Sequence, residues 1–269
     1  MQPLDHLGII AGNGIYPQVL AKAARSAGVK KISAVAFTNE TDPKLKELVE
    51  QIDWLRVGEL NRLLSLFRGS GVRQAIMAGQ IAPRNLFDLH PDWRALLLLA
   101  KLKRRNAESI FSAIAGELER IGVTLLPATT FLTQFLAPNG VIAGPKLSRR
   151  EKSDVEFGWD IAKQIALLNI GQTIVVKTGT VLAVEGFDGT NETIRRGGVL
   201  GRGRAVVIKV SKPNQELRFD VPVIGMETIG VAAEAKVRVI AVEAGRTLLL
   251  DRDRVIETAS DRGISIVGR

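Results

Sequence analysis

Short apolar segments of strand type alternate with segments of helical spacing through the first half of the chain. The strand-type segments are LGIIA (7–11), KISAVAF (31–37), DWLRV (53–57) and RQAIMAG (73–79), and helical spacing falls at 17–27, 43–50 and 60–68. Strands that alternate with helices are typical of a parallel sheet covered by helices. We therefore predict an α/β fold with a Rossmann-like parallel sheet in this half.

The strongest helical pattern of the first half lies between residues 91 and 120. Pro91 suits the first turn of a helix, and the polar positions leave one continuous apolar face. That face consists of Ile110, Phe111, Ile114, Leu118 and Ile121. We expect it to pack in the core of the N-terminal domain.

The segment APNGVIAGPK, residues 137–146, concentrates Pro and Gly between two periodic regions. Such punctuation is typical of a domain junction. We therefore place a boundary near Asn139, with an N-terminal domain at 1–138 that binds nucleotide or sugar and a catalytic domain at 139–269.

Strand and helix patterns alternate again beyond the junction. The strand-type segments are TIVVK (173–177), VLAVEG (181–186), AVVIKV (205–210), VRVIAVE (237–243) and TLLLD (247–251), and helical patterns fall at 152–168, near 190, at 227–235 and up to about 260. We therefore predict a second α/β domain. Ligands commonly bind in clefts between domains, so we expect the active site in an interdomain cleft.

No part of the sequence has the features of a secretory signal or a membrane span. The start, MQPLDHLGII, lacks a charged end followed by a long apolar stretch, and no apolar run approaches the ~20 residues that cross a bilayer. We therefore expect a cytoplasmic protein.

The longest apolar run, residues 95–100, is flanked by aromatic and basic side chains. These are Trp93, Lys101, Lys103, Arg104 and Arg105. Two explanations stay open: the helix packs in the core or in a homo-oligomer interface, or its basic flank makes a peripheral contact with the inner membrane.

Charge and composition narrow the ligands. A net charge of +9 favours phosphorylated or anionic partners. Aromatic residues make up 5% of the chain and are not interleaved with the basic ones, so we expect no nucleic-acid binding. The chain has no cysteine and two histidines far apart, which disfavours zinc and leaves Mg²⁺ as the candidate metal.

A glycine-rich turn follows the first strand segment. Gly12, Asn13 and Gly14 stand between LGIIA and a helix, where backbone N–H groups can receive a phosphate. Pro17 replaces the third glycine of a dinucleotide fingerprint, and Glu40 stands late for a ribose carboxylate, which argues against NAD. A tight turn without a ligand is the alternative.

A second glycine turn, Gly79 with Gln80, closes the segment RQAIMAG. Loops at the carboxyl ends of parallel strands commonly bind ligands, so Gln80 is a candidate hydrogen-bonding partner for a uracil or a sugar. An exposed loop amide is the equally simple explanation.

Acidic and basic residues gather after the segment VLAV. Glu185 and Asp188 lie on a glycine-rich turn, Thr190 is placed to cap the next helix, and Arg195 and Arg196 follow within it. Carboxylates that hold Mg²⁺ beside arginines that hold phosphate oxygens would suit phosphoryl chemistry. A surface salt-bridge cluster is the alternative.

The same mixture returns after the next strand. Lys209 and Lys212 follow AVVIKV, and Asp220 lies between apolar Phe219 and Val221 just before Pro222. A carboxylate in such an extended apolar segment is poorly explained by solubility. Asp220 is therefore the strongest catalytic candidate.

Several spaced motifs together resemble one known family. AGNGIYP, VLAVEGFDGTNETIRRGG, KPNQELRFDVPVIGMETI and IAVEAGRTLLLDRDRVIETASDRGISIVG resemble the UDP-2,3-diacylglucosamine pyrophosphatases of the LpxI type, nearly end to end. The resemblance implies a Mg²⁺-dependent enzyme of lipid A synthesis in a Gram-negative type of bacterium. Its substrate would be UDP-2,3-diacylglucosamine, and its products UMP and 2,3-diacylglucosamine 1-phosphate.

The family's essential aspartate carries over to Asp220, within the stretch DVPVIG. Two positions depart from the family pattern. Glu216 stands in place of an aspartate after Gln215, and Asn191 stands where the family turn has an acid, which weakens Asn191 as a metal ligand.

We expect water to attack one phosphorus while Asp220 binds Mg²⁺ or takes the proton, with Glu185 and Asp188 as further metal ligands. Cations are expected to neutralise the phosphate oxygens. They are Lys177, Arg195, Arg196, Lys209 and Lys212. Two other classes stay open: an NAD(P)-dependent oxidoreductase, and a non-catalytic module that binds nucleotide or nucleic acid.

Overall fold

The structure is a computed structural model that describes residues 4–81, 91–103, 107–213 and 216–269. The chain divides into two compact units. One, the N-terminal unit, comprises Met1–Thr133 together with Glu216–Asp220. The other, the C-terminal unit, comprises Gln134–Gln215 and Val221–Arg269. The two-domain α/β prediction is confirmed.

A five-stranded parallel sheet forms the centre of the N-terminal unit. Its strands are β1 (His6–Ala11), β2 (Lys31–Phe37), β3 (Gln51–Leu55), β4 (Gln74–Ala78) and β5 (Thr124–Leu125), and its helices are α1 (Tyr16–Ser26), α2 (Leu60–Ser70), α3 (Trp93–Lys101) and α4 (Ala107–Arg120). The strand order is β3-β2-β1-β4-β5, all parallel. This is the predicted Rossmann-like arrangement.

Helix α4 packs as its apolar spacing indicates. Leu118 is fully buried in a core cluster with Phe67 and Leu64 of α2, and Phe111, Ile114 and Ile121 pack against that cluster. Helix α3 begins at Trp93, two residues after Pro91. Asp92 is its N-cap and accepts from the N–H groups of residues 94 and 95.

The segment predicted as a helix at 43–50 is instead a short 3₁₀ helix, Pro43–Leu48. Asp42 caps it by accepting from the Lys44 N–H, and Leu45 is its one buried residue. A single buried side chain leaves no apolar face to hold a longer α-helix. Strand β3 accordingly begins at Gln51, two residues earlier than the pattern suggested.

The C-terminal unit is built on a six-stranded mixed sheet. Its elements are β6 (Gly140–Ala143), α5 (Arg149–Leu167), β7 (Thr173–Lys177), β8 (Thr180–Val184), α6 (Gly189–Gly201), β9 (Val206–Lys209), β10 (Val223–Ile224), α7 (Met226–Glu234), β11 (Val239–Val242), β12 (Leu248–Leu249), α8 (Arg252–Asp261) and β13 (Ser265–Gly268). The order is β6-β13-β11-β9-β7-β8, and β10 pairs separately with β12.

Strand direction decides which loops meet in this sheet. β9, β11 and β13 run parallel, whereas β7 runs antiparallel to β9 and β8 antiparallel to β7. The carboxyl ends of β9, β11 and β8 therefore lie at the same edge as the start of β7. We call this edge the polar edge, because Thr173, Glu185, Lys209, Ser211 and Glu243 stand there.

The glycine-rich junction is more structured than its composition suggests. Residues 140–143 form β6, which pairs antiparallel with β13 as an edge strand. Gly140 begins the strand, and its ladder with β13 shifts register between Ile266 and Val267, an irregularity typical of sheet edges. Neither β6 nor β13 stood out in the apolar pattern.

The segment Glu216–Asp220 belongs to the N-terminal unit although it lies far along the chain. The Leu217 carbonyl accepts from the Ala128 N–H at 2.7 Å, and the Phe219 ring lies 5.6 Å from the ring of Phe111. Arg218 donates to Glu119 at 3.0 Å. A single linear boundary near Asn139 does not include this return of the chain.

Close packing of α6 on β7 depends on a glycine. A Cβ added at Gly197 would lie 2.4 Å from the Cβ of Val175, which is fully buried. The same atom at Gly230, in α7, would meet nothing within 4 Å.

We predict that Gly197→Ala lowers the free energy of unfolding by about 1–3 kcal/mol, because overpacking forces backbone shifts. Gly230→Ala is the matched control, expected to be neutral or to stabilise by roughly 0.5–1 kcal/mol through helix propensity. Urea unfolding followed by circular dichroism measures both. Equal effects of the two substitutions would contradict the packing argument.

Candidate functional site

The strand order of the N-terminal sheet changes direction between β1 and β4. In open parallel sheets, ligands bind at the carboxyl ends of the two strands beside such a point. Here the loops after β1 and β4 meet: the Gly12 N–H donates to the Ala78 carbonyl at 2.8 Å, and the Asn13 N–H donates to the Gln80 carbonyl at 2.6 Å.

This contact requires small residues. A Cβ at Gly12 would lie 2.5 Å from the Gln80 carbonyl oxygen, and one at Gly79 would lie 2.5 Å from the Asn13 carbonyl oxygen. Gly14 has a φ of +84°, the left-handed region that glycine adopts most readily. The structure thus brings the predicted residues Gly12, Asn13, Gly14 and Gln80 together, with Asn13, Gly14 and Gln80 exposed.

The turn after β2 adds a carboxylate to the same edge. Glu40 is 6% exposed, and one of its carboxylate oxygens accepts from the Asn13 side-chain amide at 3.3 Å. In the sequence, Glu40 counted against a dinucleotide site because of its distance from the strand. The folded turn places it beside the glycine loop.

A hydrogen-bonded network occupies the polar edge of the C-terminal unit. The Thr190 hydroxyl donates to Glu185 at 2.7 Å, and the Lys209 ammonium donates to the Thr190 hydroxyl and to the Val223 carbonyl, each at 3.1 Å. Thr173 lies 3.3 Å from the Thr190 hydroxyl. Lys209 is 5% exposed, so these oxygens compensate a buried cation.

Thr190 does not cap α6 as predicted. The helix begins at Gly189, Thr190 lies within its first turn, and the cap position, Asp188, makes no side-chain capping bond. The Thr190 hydroxyl instead holds Glu185 and Lys209. Its role is therefore to join strand ends across the polar edge.

Two of the three carboxylates predicted as metal ligands, Glu185 and Asp188, are engaged within the protein. One Glu185 oxygen accepts from Thr190 and the other from the Gln172 N–H at 3.0 Å. Asp188 accepts from the Gly186 N–H at 3.0 Å and from two nitrogens of Arg196 at 2.7 and 3.0 Å. Burial opposes ionisation, but these donors outweigh it and hold the pKa of Asp188 below its ordinary value.

The other predicted cations lie in different surroundings. Arg195 is exposed and pairs with Glu192 one turn away. Lys212 follows the end of β9 and is half-buried. Lys177 donates to the carbonyls of Gly201 and Gly203, at 2.6 and 2.9 Å, at the carboxyl end of α6.

Lys177 therefore lies at the sheet edge opposite Lys209. β7 is antiparallel to β9, and Thr173 at the start of β7 pairs with Lys209. The structure does not bring Lys177 to the polar edge. Its contacts are those of a cation at a helix carboxyl terminus.

Three residues at the polar edge, Lys163, Ser211 and Glu243, form a hydrogen-bonded trio that the sequence analysis did not identify. Glu243 directly follows β11 and accepts from the Lys163 ammonium at 2.5 Å, the Ser211 N–H at 2.8 Å and the Ser211 hydroxyl at 2.6 Å. The signal in the sequence was an acid directly after the buried strand segment VRVIAV. Lys163 gave no signal, because it lies on the long helix α5.

Asp220 belongs to the N-terminal unit, where it is half-buried. Its N–H donates to the Glu216 carbonyl at 2.9 Å, which closes a tight turn over 216–220. Arg218 pairs with Glu216 at 2.8 Å within that turn, and the hydrogen bond from Arg218 holds the pKa of Glu216 below its ordinary value. Gln215, which precedes the turn, lies outside the described residues.

The predicted magnesium site does not assemble from these carboxylates alone. Within the described ranges, no three His, Asp or Glu side chains gather as a metal centre. The oxygens of Glu185 and Asp188 already accept from protein donors, as described above. Mg²⁺ binding therefore stays a prediction.

The two units define an α/β protein with a glycine loop at the carboxyl edge of a parallel sheet and with cations at the strand ends of a mixed sheet. The family described as LpxI N-terminal domain matches residues 6–135, and the one described as LpxI C-terminal domain matches residues 138–267. The chain belongs to the LpxI family, as its motifs suggested.

A curated relative extends this result. UDP-2,3-diacylglucosamine pyrophosphatase LpxI of Caulobacter vibrioides is 33% identical over 273 residues, which cover 97% of this chain and 96% of the relative. The match therefore spans both units rather than one of them. The oxidoreductase and nucleic-acid alternatives gain no support from it.

Two solved structures show a distant likeness. The biotin carboxylase domain of Hydrogenobacter thermophilus 2-oxoglutarate carboxylase matches with a TM-score of 0.30 and 12% identity, over 75% of this chain and 42% of that one. The biotin carboxylase subunit of pyruvate carboxylase matches with a TM-score of 0.28 and 12% identity, over 69% and 38%. Both likenesses are too weak to indicate a shared function.

The hydrogen-bonded trio of Lys163, Ser211 and Glu243 makes the free energy of unfolding depend on pH. Burial opposes ionisation of Glu243, but the bonds from Lys163 and Ser211 outweigh it and hold the pKa below the ordinary 4.5. A lowered folded-state pKa stabilises the fold fully above 4.5 and loses that contribution as the pH falls through the folded value.

We therefore predict that Glu243→Gln destabilises the protein most above pH 4.5 and that its difference from the wild type shrinks towards pH 3. Chemical unfolding midpoints across this range provide the measurement. Glu234→Gln, at an exposed position on α7, is the control and should follow the wild type. A Glu243→Gln difference that does not change with pH would contradict the argument.

Proposed function

We propose that this protein hydrolyses the pyrophosphate bond of UDP-2,3-diacylglucosamine to UMP and 2,3-diacylglucosamine 1-phosphate, a step of lipid A synthesis. The observation that carries the proposal is the match to the Caulobacter vibrioides pyrophosphatase over 97% of the chain. The glycine loop and the strand-end cations support it, because a UDP-sugar lipid presents a nucleotide and a diphosphate.

The chemistry requires a proton acceptor and cations. A water oxygen attacks one phosphorus, the bridging P–O bond breaks, and the second phosphate leaves with the bridging oxygen. Asp220 takes the proton of the water, as a positioned carboxylate can. It belongs to the same unit as the Gly12–Gly14 loop, which we propose receives the nucleotide.

Negative charge grows on the leaving phosphate, and fixed cations stabilise it. We assign this role to Lys209 and Arg196, which the polar edge holds in place through Thr190 and Asp188. Lys212 and Arg195 stay candidates from the sequence. Lys177 is not included, because it holds the end of α6.

The family resemblance suggests Mg²⁺ as the cofactor, and the metal would neutralise phosphate oxygens. Ligation of Mg²⁺ by Glu185 or Asp188 would compete with the hydrogen bonds that their oxygens already accept. The steps above therefore use the protein's own side chains.

We predict that Asp220→Asn lowers the rate of UMP release by about 100-fold or more, because removal of a general base costs this much. Asp160→Asn, at an exposed position on α5, removes the same charge elsewhere and should keep the wild-type rate. Release of UMP from UDP-2,3-diacylglucosamine, with and without Mg²⁺, is the measurement. Circular dichroism checks that both variants fold.

A wild-type rate of UMP release by Asp220→Asn would contradict the catalytic role of Asp220. Loss of activity in Asp160→Asn as well would show that the assay responds to general loss of charge rather than to this carboxylate.

We also propose a peripheral membrane contact by α3. Trp93, Leu96 and Leu97 are 61%, 54% and 54% exposed, which is unusual for three large apolar side chains within five residues. Lys101 and Lys103 follow and are exposed. Arg104 and Arg105, also expected in this patch, lie outside the described residues. Among the described helices, none is both long and apolar enough to span a bilayer.

We predict that the wild type floats with vesicles of anionic phospholipid and that Leu96→Ser with Leu97→Ser weakens this several-fold, since burial of apolar area and charge attraction both hold interfacial helices. Leu167→Ser with Leu168→Ser removes two exposed leucines from another surface and serves as control. Equal flotation of all three proteins would contradict the contact. A homo-oligomer through α3 would appear as a mass change in light scattering.

A further inference from the structure

The Glu40 carboxylate is a feature that the proposed chemistry does not use. It is 6% exposed, yet it lies next to the exposed loop of Asn13, whose amide donates to it at 3.3 Å. A buried carboxylate is unfavourable unless it is satisfied by donors. The Asn13 amide helps to satisfy it and places it beside the glycine loop.

Parallel pairing places this carboxylate. β1 and β2 run in register, with Ala11 opposite Ala36, so the loops after both strands leave the sheet at one edge. Glu40 follows β2 by three residues, and Asn13 follows β1 by two. The carboxylate and the glycine loop thus stand side by side after β2 and β1, next to the point between β1 and β4 where the strand order reverses.

The turn that carries Glu40 is held firmly. The Thr41 hydroxyl donates to the Ala11 carbonyl at 2.5 Å and accepts from the Phe37 N–H at 2.9 Å, and the Glu40 N–H donates to the Phe37 carbonyl at 3.1 Å. Asn39 has a φ of +66°, which turns the chain back towards β1. The carboxylate is therefore fixed relative to the loop after β1.

A carboxylate held beside the glycine loop could bind the hydroxyls of a ribose. Two adjacent carboxylate oxygens can accept from the two hydroxyls of a vicinal diol, and an acidic residue after the second strand has this role in parallel nucleotide-binding sheets. The distance along the chain is unusual, but the positive-φ turn brings Glu40 back to the expected place.

We propose that Glu40, positioned by the Asn13 amide, binds the ribose 2′- and 3′-hydroxyls of the uridine nucleotide and so makes the N-terminal unit selective for ribonucleotides. The inference rests on the proposed function for the identity of the nucleotide. It adds a binding residue and a positioning residue to the glycine loop.

The test compares UMP with 2′-deoxy-UMP by isothermal titration calorimetry. Hydrogen bonds to charged groups are the stronger ones, so the wild type should bind UMP about tenfold or more tightly than the deoxynucleotide. Glu40→Gln should lose most of this preference by weakening UMP more than 2′-deoxy-UMP, which keeps only the 3′-hydroxyl. Asn13→Ser should show an intermediate preference, which keeps the test informative where Glu40→Gln fails to fold. Gln18→Ala removes a nearby polar side chain that bonds Asp42 and should leave the preference unchanged.

Three results would overturn the inference: no preference in the wild type, an unchanged preference in both Glu40→Gln and Asn13→Ser, or equal weakening of both nucleotides. UMP release from UDP-2,3-diacylglucosamine by the wild type is measured separately. UMP release without ribose selectivity rejects the role of Glu40 and keeps the proposed function, whereas ribose selectivity without UMP release rejects the proposed function alone.

Discussion

The direction in which neighbouring strands pair is the constraint on which the arrangement of both units depends. Buried strands such as β1, with Leu7 and Ile9 fully covered, pair parallel and are connected by helices. All loops at the carboxyl ends then leave the sheet at one edge. Residues distant in the chain stand at one edge: Asn13, Glu40 and Gln80 in the N-terminal unit, and Lys209 and Glu243 in the C-terminal unit.

At the polar edge, hydrogen bonds stabilise two charged side chains that are partly or almost completely buried. Lys209 is surrounded by the oxygens of Thr190 and Val223, and Glu243 by the donors of Lys163 and Ser211. Breaking one member of such a network would leave its partner buried and uncompensated. These residues therefore have a structural role. In the reaction that we propose, Lys209 also stabilises the leaving phosphate, because a pre-positioned cation needs little reorganisation during the reaction.

The sequence was sufficient for the class of fold and for the glycine loop, because alternation of strands and helices and the position of Gly12–Gly14 after β1 are local patterns. Contacts that depend on strand direction were not readable. Lys177 ends β7 and Lys209 ends β9, and only their antiparallel pairing shows that they lie at opposite edges. Two further features depend on tertiary structure and cannot be predicted from local periodicity. They are the return of residues 216–220 to the N-terminal unit and the hydrogen bonds around Glu243. Mg²⁺ binding and the catalytic role of Asp220 rest on composition, on local sequence and on the resemblance, and stay predictions.

Product analysis in ¹⁸O-labelled water addresses the proposed reaction with the fewest assumptions. The purified protein is incubated with UDP-2,3-diacylglucosamine, and mass spectrometry identifies the products. We expect UMP and 2,3-diacylglucosamine 1-phosphate in equal amounts, with one ¹⁸O atom in one of the two phosphates. UDP together with a free diacylglucosamine, or an intact substrate, would contradict pyrophosphate hydrolysis by this protein.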